Sequence, residues 1–487
     1  MSSLKEFRQS EDFVPKTIML VCGIAFFIVN FIRIFDSNFW CDETFSYVMS
    51  FYSLPRTIFE CAMDMHPPLY YVFLNIWCDV FGHSGPALHA SSLVPYVALM
   101  YIAYSRIYKK FGLCPALLMI TFVSIMPLSV RYNVDVRMYL WVSVFMLLAY
   151  LQFYDVLEDF SWRNLKLFMI YSLLGAYTHY YCILGITALC IVMLVLYRKD
   201  SERIRLVKRS VKYMLLIYAP WAVFLLRSFI IASSDFWISD IPSIADCYLL
   251  LFDGYASIPL FIIMILSVAA IAAIGYRRTK QLDTMGIWLI SGFVAITIPI
   301  LIGIVCSYTI RPMLLLRYLL FTTVIAWIML SVAVTRMDSI KLKGLATVLV
   351  LTIVLMASVP EYVETYNVEY DSWEQTKDTL DLTSGISNKD TILTDVSSVR
   401  ETKALTYYSC ERIVIDWDDT PDLDINHRYW LFLGDSISQQ MIDWLASKGF
   451  GYELITENGS LGSEDDPIGN YHRLGSAYYH IYRAVPL

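Results

Sequence analysis

The sequence predicts an all-α polytopic membrane bundle of about eleven transmembrane helices, with external juxtamembrane helices and a small C-terminal α/β domain outside the membrane. Three observations lead there. The 487 residues are 57% hydrophobic and only 17% charged, with a mean hydropathy of +0.54, whereas an ordinary soluble domain is about a quarter charged. Apolar runs close to the length of a membrane-spanning helix recur through residues 1–360. Beyond 360 the chain turns polar, and short alternating runs replace the long ones.

The spans are expected near 17–35, 87–106, 113–130, 137–155, 164–178, 181–197, 211–231, 254–276, 285–307, 313–335 and 342–359. The first has bases before it but no small-residue cleavage site after it, so it reads as a helix and not as a signal peptide. Tyr (35) and Phe (27) are abundant, as expected where rings sit at the water–lipid boundary. The segment "PPLYYVFLNIWCDVFG" (67–82) is apolar but short, bounded by prolines and Gly82. The positive-inside rule arbitrates. With 67–82 lying in the interface, 21 Lys/Arg fall on the inner side, seven on the outer side and nine in the tail, out of 37. The alternative puts the heavy basic loop "YRKDSERIRLVKRSVK" outside. The expected topology is therefore multi-pass in the plasma membrane, with a cytoplasmic N-terminus and an external C-terminal domain. Domain one runs 1–360 with its first external loop at 36–86; domain two runs 361–487.

In the tail, "TILTDV", "RIVIDW", "YWLFLG" and "YYHIYRAV" read as strands, and "SSVRETKALTYYS" and "SISQQMIDWLASKGF" as helices. The sequon Asn458-Gly-Ser460 lies there. The ten cysteines show no CxxC and no metal-ligand spacing. Most lie in or beside apolar runs as small hydrophobes; Cys41 and Cys61 share one loop, close enough in sequence to pair, but no denser disulfide framework surrounds them.

Candidate chemistry gathers on the outer face. "NFWCDETFSYVMS" (38–50) puts Asp42 and Glu43 side by side where the first span ends. Phe45, Val48, Met49 and Tyr52 follow at helical spacing, so the acids stand at a helix start. They read either as helix-capping acids or as an external base. "DMHPPLYY" places Asp64 and His66 on a loop ahead of two prolines that suit a first helical turn. "SVRYNVDVRMYLW" contributes Arg131, Asp135, Arg137 and Tyr139. "YTIRPMLLLRYLLF" contributes Arg311, Arg317 and Tyr318. Read as one continuous helix, it sets Arg317 about 9 Å deeper than Arg311. An arginine at that depth needs a partner, a watery cavity or room to snorkel. "GAYTHYYCILG" adds His179 among tyrosines, either structural or site-lining. Arginine forks suit phosphate oxygens, and a carboxylate suits removal of a proton from a hydroxyl. Together they point to a lipid-phosphate donor and an external acceptor.

At these residues the chain resembles the C-type glycosyltransferases, in the branch of the protein O-mannosyltransferases and lipid A aminoarabinose transferases. The resemblance rests on Asp42-Glu43, on His66-Pro67-Pro68 before a surface helix, on Arg137-x-Tyr139 at an external helix start, and on Arg311-Pro312 with Arg317-Tyr318. It spans roughly 15–360. Lipid A transferases of this group carry another residue where this chain has His66.

The resemblance implies inverting transfer of a sugar from a polyprenyl-phosphate donor to an acceptor hydroxyl on a protein, lipid or envelope glycan. Asp42 would be the base and Glu43 its support. Arg137 and Arg317, with Tyr318 and Arg311, would hold the donor phosphate. Asp64, His66, Tyr139 and His179 would line the site. No cofactor is required by such a reaction, and two groups, Asp64 and His66, are too few for a tight metal site. The partners are then the lipid-linked donor, the acceptor and the bilayer, with no nucleic acid. The rival readings are a lipid-linked sugar transporter or flippase, a polymerase of the same sidedness, and an inactive scaffold. A transporter would place ionisable groups near the midplane and often shows two related halves; here the groups cluster on one face and no repeat is visible.

Overall fold

The computed structural model describes residues 12–35, 39, 41–234, 238, 240–336, 339–382, 390–394, 413–416, 422–433, 436–461 and 477–487. The helices are α1 (Phe13–Ile32), α2 (Cys41–Ser50), α3 (Leu54–Met63), α4 (Leu69–Phe81) and α5 (Gly85–Ile102). A π turn (Ala103–Ile107) joins α5 to α6 (Tyr108–Phe111). Then come α7 (Leu113–Ile125), α8 (Pro127–Tyr132), α9 (Tyr139–Glu158), α10 (Trp162–Ala176), α11 (Tyr180–Leu196) and α12 (Ser201–Ser234). The series ends with α13 (Ile244–Leu249), α14 (Ser257–Thr279), α15 (Thr284–Thr309), α16 (Leu320–Thr335), α17 (Ile340–Leu382) and, in the tail, α18 (Gln439–Ser447).

Among the described residues, eight helical segments are long and apolar enough to cross a membrane, and the chain is a multi-pass membrane protein. Each of the other three expected spans is met by a shorter helix, α7, α10 or α11. The helix α4 has 13 residues, about 20 Å of rise against a hydrocarbon core of about 30 Å. The helix α7, which meets an expected span, has the same 13 residues, so it is the bounding prolines and Gly82, and not length, that distinguish α4.

The chain divides into two compact units. The first comprises Met1–Ile32, Ser53–Ile76 and Ala90–Tyr362. Its centre is α16, buried at all 16 residues, as expected for a helix apolar all round. The helices α7, α9, α14 and α15 pack against it. Two aromatic residues lock α9 to α15: Tyr150 donates to the Trp288 carbonyl at 2.8 Å, and Trp288 Nε1 donates to the Tyr150 carbonyl at 3.1 Å. Their rings stack at 4.6 Å. Such paired donors matter in a bundle where few alternatives to protein hydrogen bonds exist. At one end of the bundle, Arg106 on the π turn donates to Gln152 at 3.0 Å and to Asp155 at 2.6 Å. Lys110 bonds both Asp155 and Glu158.

The second unit comprises Arg33–Tyr52, Trp77–His89 and Val363–Leu487. Its five-stranded sheet runs β2 (Ile413–Asp416), β1 (Thr391–Thr394), β3 (Tyr429–Leu433), β5 (Ala477–Pro486), β4 (Phe450–Leu461). The first three strands are parallel, and β5 and β4 join antiparallel. One face is covered by α18, with Leu431, Leu433, Met441, Leu445, Phe450 and Tyr482 in the core. Buried Asp390 accepts from Arg428 at 3.1 Å and from Trp430 Nε1 at 3.0 Å. The strand β4, which holds the sequon, is additional to those read from the sequence; the helix expected over 397–409 lies outside the described residues. Of the two cysteines that share the first external loop, Cys61 is a free, buried thiol.

A second departure concerns α17. The expected span stops at 359, but the helix runs for 43 residues, straight through Pro360. A proline costs one backbone bond and some strain, and here the helix absorbs both.

Candidate functional site

The site is built from four short stretches of the first unit, each delivered by the start or end of a helix. The helix α3 ends at Asp64, whose backbone N–H is tied to the Glu60 carbonyl at 2.8 Å. The helix α12 braces this loop: Arg227 donates to the Met63 carbonyl and Ser228 to the Asp64 carbonyl. Two prolines then lead into α4, and the Leu69 N–H donates to the Tyr177 carbonyl at 3.1 Å. That bond sets the His66 loop beside the turn that carries His179.

A chain of hydrogen bonds starts at Asp64. Its Oδ2 lies 2.8 Å from His66 Nδ1. On the other side of the ring, His66 Nε2 is 3.1 Å from Arg137 Nη2. Arginine only donates, so Nε2 is the acceptor and Nδ1 carries the proton that Asp64 receives. This fixes the tautomer of His66 and leaves its ring neutral. Arg137 Nη1 donates to the Tyr71 hydroxyl at 3.0 Å, and the Tyr71 ring meets His66 edge-on at 5.7 Å. Burial pushes the Asp64 carboxyl upward, but His66, the Met65 N–H and the Arg137 charge outweigh it and hold it at about 2.

Arg137 and Tyr139 stand at the mouth of α9, both buried. From Tyr139 an aromatic cage leads on. Its ring lies 5.9 Å from His179, and His179 lies 5.3 Å from Tyr318. Tyr181 closes the group, 5.3 Å from Tyr318. His179 is the N-cap of α11, its Nδ1 accepting from the Tyr181 N–H at 3.3 Å. Burial, with the nearby Arg137 and Arg317 charges, pushes its pKa down to about 3. His179 is therefore a neutral acceptor at any ordinary pH. The field that acts on it is itself informative: Arg137 and Arg317, 180 residues apart in the chain, act on one imidazole.

Arg317 is buried, but its setting differs from the expectation. Residues 311–315 are not helical; Leu315 is extended at φ −108, ψ 144, and a 3-10 turn (Leu316–Leu319) precedes α16. The depth drawn from a continuous helix is therefore wrong. Arg317 stands on the 3-10 turn that opens the Leu316–Thr335 span, at the mouth of α16. Arg311 donates to the Ser234 carbonyl at 2.6 Å, at the end of α12. Its described bond leads to that helix end and not to His179.

Asp42 and Glu43 belong to the second unit. They occupy the first turn of α2, where acids favour the helix dipole. Asp42 is half-buried. Glu43 is buried, and its Oε1 lies 3.7 Å from Nδ1 of His89, also buried. The Phe39 ring packs on His89 at 4.9 Å. Sequence reasoning missed His89, because a lone His in "GPALHASS" looks like any packed helix residue. It also missed Tyr71 as a partner of Arg137. The signal was present: Tyr71 lies in the same short motif as His66, two residues into α4. Among the described residues, no three His, Cys, Asp or Glu side chains group closely enough to hold a metal ion.

No protein-family model matches the chain, and no curated protein matches it in sequence. Solved structures do resemble it over nearly its whole length. ArnT from Cupriavidus metallidurans in the apo state superposes with a TM-score of 0.56 at 12% identity, covering 96% of this chain and 98% of that one. ArnT from Cupriavidus metallidurans bound to undecaprenyl phosphate gives 0.51 at 13% identity, covering 95% and 97%. The fold of the chain is thus the ArnT-like polytopic fold.

Proposed function

We propose that the chain is an inverting C-type glycosyltransferase that moves a sugar from a polyprenyl-phosphate donor to a hydroxyl outside the membrane. The observation behind this reading is Arg137. Its guanidinium is held by the Asp64–His66 pair and by Tyr71, and Arg317 acts on the same neutral His179. Two arginines set in an aromatic, water-poor cage form a receptor for a phosphate monoester. The likeness to ArnT with undecaprenyl phosphate supports the same ligand class.

The chemistry asks little else of the protein. The acceptor oxygen attacks the anomeric carbon as the bond from that carbon to the phosphate oxygen breaks. The acceptor proton passes to a carboxylate, a role we give to Asp42 with Glu43 in support. The leaving monophosphate gains negative charge as it departs, and Arg137 and Arg317 stabilise that charge more than they stabilise the donor. Tyr318 and Arg311 extend the phosphate-binding side, and Tyr139 and His179 wall it. A neutral His179 adds no competing cation and accepts no proton from the acceptor. The expected topology has the N-terminus in the cytoplasm and the second unit's sheet outside.

The test is transfer by purified, reconstituted protein from a panel of radiolabelled polyprenyl-phosphate sugars into an envelope extract. Wild type should move label from one donor. Asp42→Asn should abolish transfer while melting at the wild-type temperature. Near-normal turnover in that variant removes Asp42 from its role, and no transfer from any donor by folded wild type removes the reading.

A further inference from the structure

A second feature lies on α12, away from the arginines described above. Residues 198–212 contain seven bases, but they do not all serve alike. Arg203 pairs with Asp200 at 3.3 Å and lies over the rings of Phe160 and Tyr197. Arg209 lies over Trp162 and Tyr213 at 5.2 and 5.3 Å. These two are fastened to aromatic residues, of which Phe160, Trp162 and Tyr197 lie at helix ends and Tyr213 lies on α12 itself. Rings of that type gather at headgroup level in membrane proteins.

Three other bases, Arg205, Lys208 and Lys212, are exposed. Among the described residues, no ion pair is seen for any of them. They stand at i, i+3 and i+7, on one face of the helix. The same face continues without a break into Leu216, Val223, Leu226 and Ile230, each more than half exposed. At 100° per residue all seven side chains fall within about 80° of arc. The basic part covers about 10 Å of helix and the apolar part about 21 Å. A cationic head over an open apolar ladder on a single stripe matches the form of an anionic phospholipid. Phosphate meets the three bases, and one acyl chain lies along the ladder. Charge bias alone, as in membrane topology, needs bases near this end but does not need them aligned over the lipid-facing side chains.

We infer that the Arg205–Lys208–Lys212 face of α12 is a binding site for an anionic phospholipid of the surrounding bilayer. The inference does not rest on the transferase reading, since it requires only that α12 spans the membrane. The probe is spin-labelled lipid in reconstituted vesicles, comparing labelled phosphatidylglycerol with labelled phosphatidylcholine. The immobilised fraction should be larger for phosphatidylglycerol with wild type. The triple variant Arg205→Gln/Lys208→Gln/Lys212→Gln should lower that selectivity by about tenfold or more, given what each base contributes near an anionic surface. The phosphatidylcholine component should stay unchanged, which reports an intact fold and apolar ladder. An unchanged excess in the triple variant, or no excess with wild type, overturns the proposal. Should the triple variant misfold, salt titration of wild type decides: an excess that does not fall as NaCl rises overturns it equally.

Discussion

Replacing Arg137 by lysine tests the phosphate receptor most directly. The charge stays, and the stem is similar, so a pure field effect would survive the change. What changes is geometry. The guanidinium reaches His66 at 3.1 Å and Tyr71 at 3.0 Å through two different nitrogens. An ammonium offers its donors from one atom and cannot serve both partners and a phosphate edge as a fork does. Losing one hydrogen bond to a charged group costs about 1.5–3 kcal/mol, which corresponds to about tenfold to about a hundredfold in affinity. The assay is calorimetric binding of undecaprenyl phosphate to the purified protein in detergent, with melting temperature measured alongside. Arg137→Lys should bind that much more weakly while remaining folded. Arg311→Lys should lose under about threefold, because its guanidinium is already engaged at the Ser234 carbonyl and a charge near the phosphate is retained. Wild-type affinity in folded Arg137→Lys would refute the argument. So would an equal loss in both variants, which would mean that the arginines act only as diffuse charge.

Two further outcomes follow from the same structure. Gly254 has φ +66, and a methyl group there would displace the carboxylate end of buried Glu361; Gly254→Ala should lose about 1–2 kcal/mol from backbone strain, read as a lower melting temperature in detergent. Asp64 titrates near 2 when folded against an ordinary 3.8, so its contribution is complete above about pH 4 and is lost as pH falls through about 2. With its side chain 38% exposed, that contribution is screened to about 1 kcal/mol, and Asp64→Asn should flatten the melting curve against pH across this window.

The sequence disclosed the parts of the site that sit in short motifs. Asp64, His66, Arg137 and Tyr139 needed only local spacing and a common side of the membrane, and three of the four join one hydrogen-bonded chain. Arg317 shows where spacing fails. An apolar run such as "MLLLRYLLF" satisfies helix and extended backbone alike, and the unwound 311–315 stretch is set by packing. The boundary near 360 misled in the opposite direction, since the shift from apolar to polar residues ends the expected span at 359 while the helix runs on to Leu382. The strand β4 was illegible because "ITENGSL" has the look of a turn; its register shifts between Leu454 and Gly459 accommodate those residues against β5. The Glu43–His89 pair shows a further limit, because nothing in the periodicity of either segment says that one imidazole will face the other's carboxylate.

The π turn at Ala103–Ile107 has a consequence for how this bundle tolerates changes of length. A π turn fits one residue more than an α turn into the same rise. Removing a single residue there would restore ordinary α-helical bonding with little loss of backbone hydrogen bonds. Because the extra residue is absorbed within the turn, the segments before and after it would keep nearly the same angular phase, whereas a deletion from an ordinary α-helix would turn them by about 100°. Tyr96, which donates to Ser124 in the core at 3.0 Å, would keep its place. Lys110, beyond the turn, would keep its hold on the carboxylate of Asp155, and only Arg106, within the turn, would be re-aimed. The turn therefore works as a length buffer: it lets one continuous rod take up or lose a residue without rotating the charged groups beyond it away from their partners.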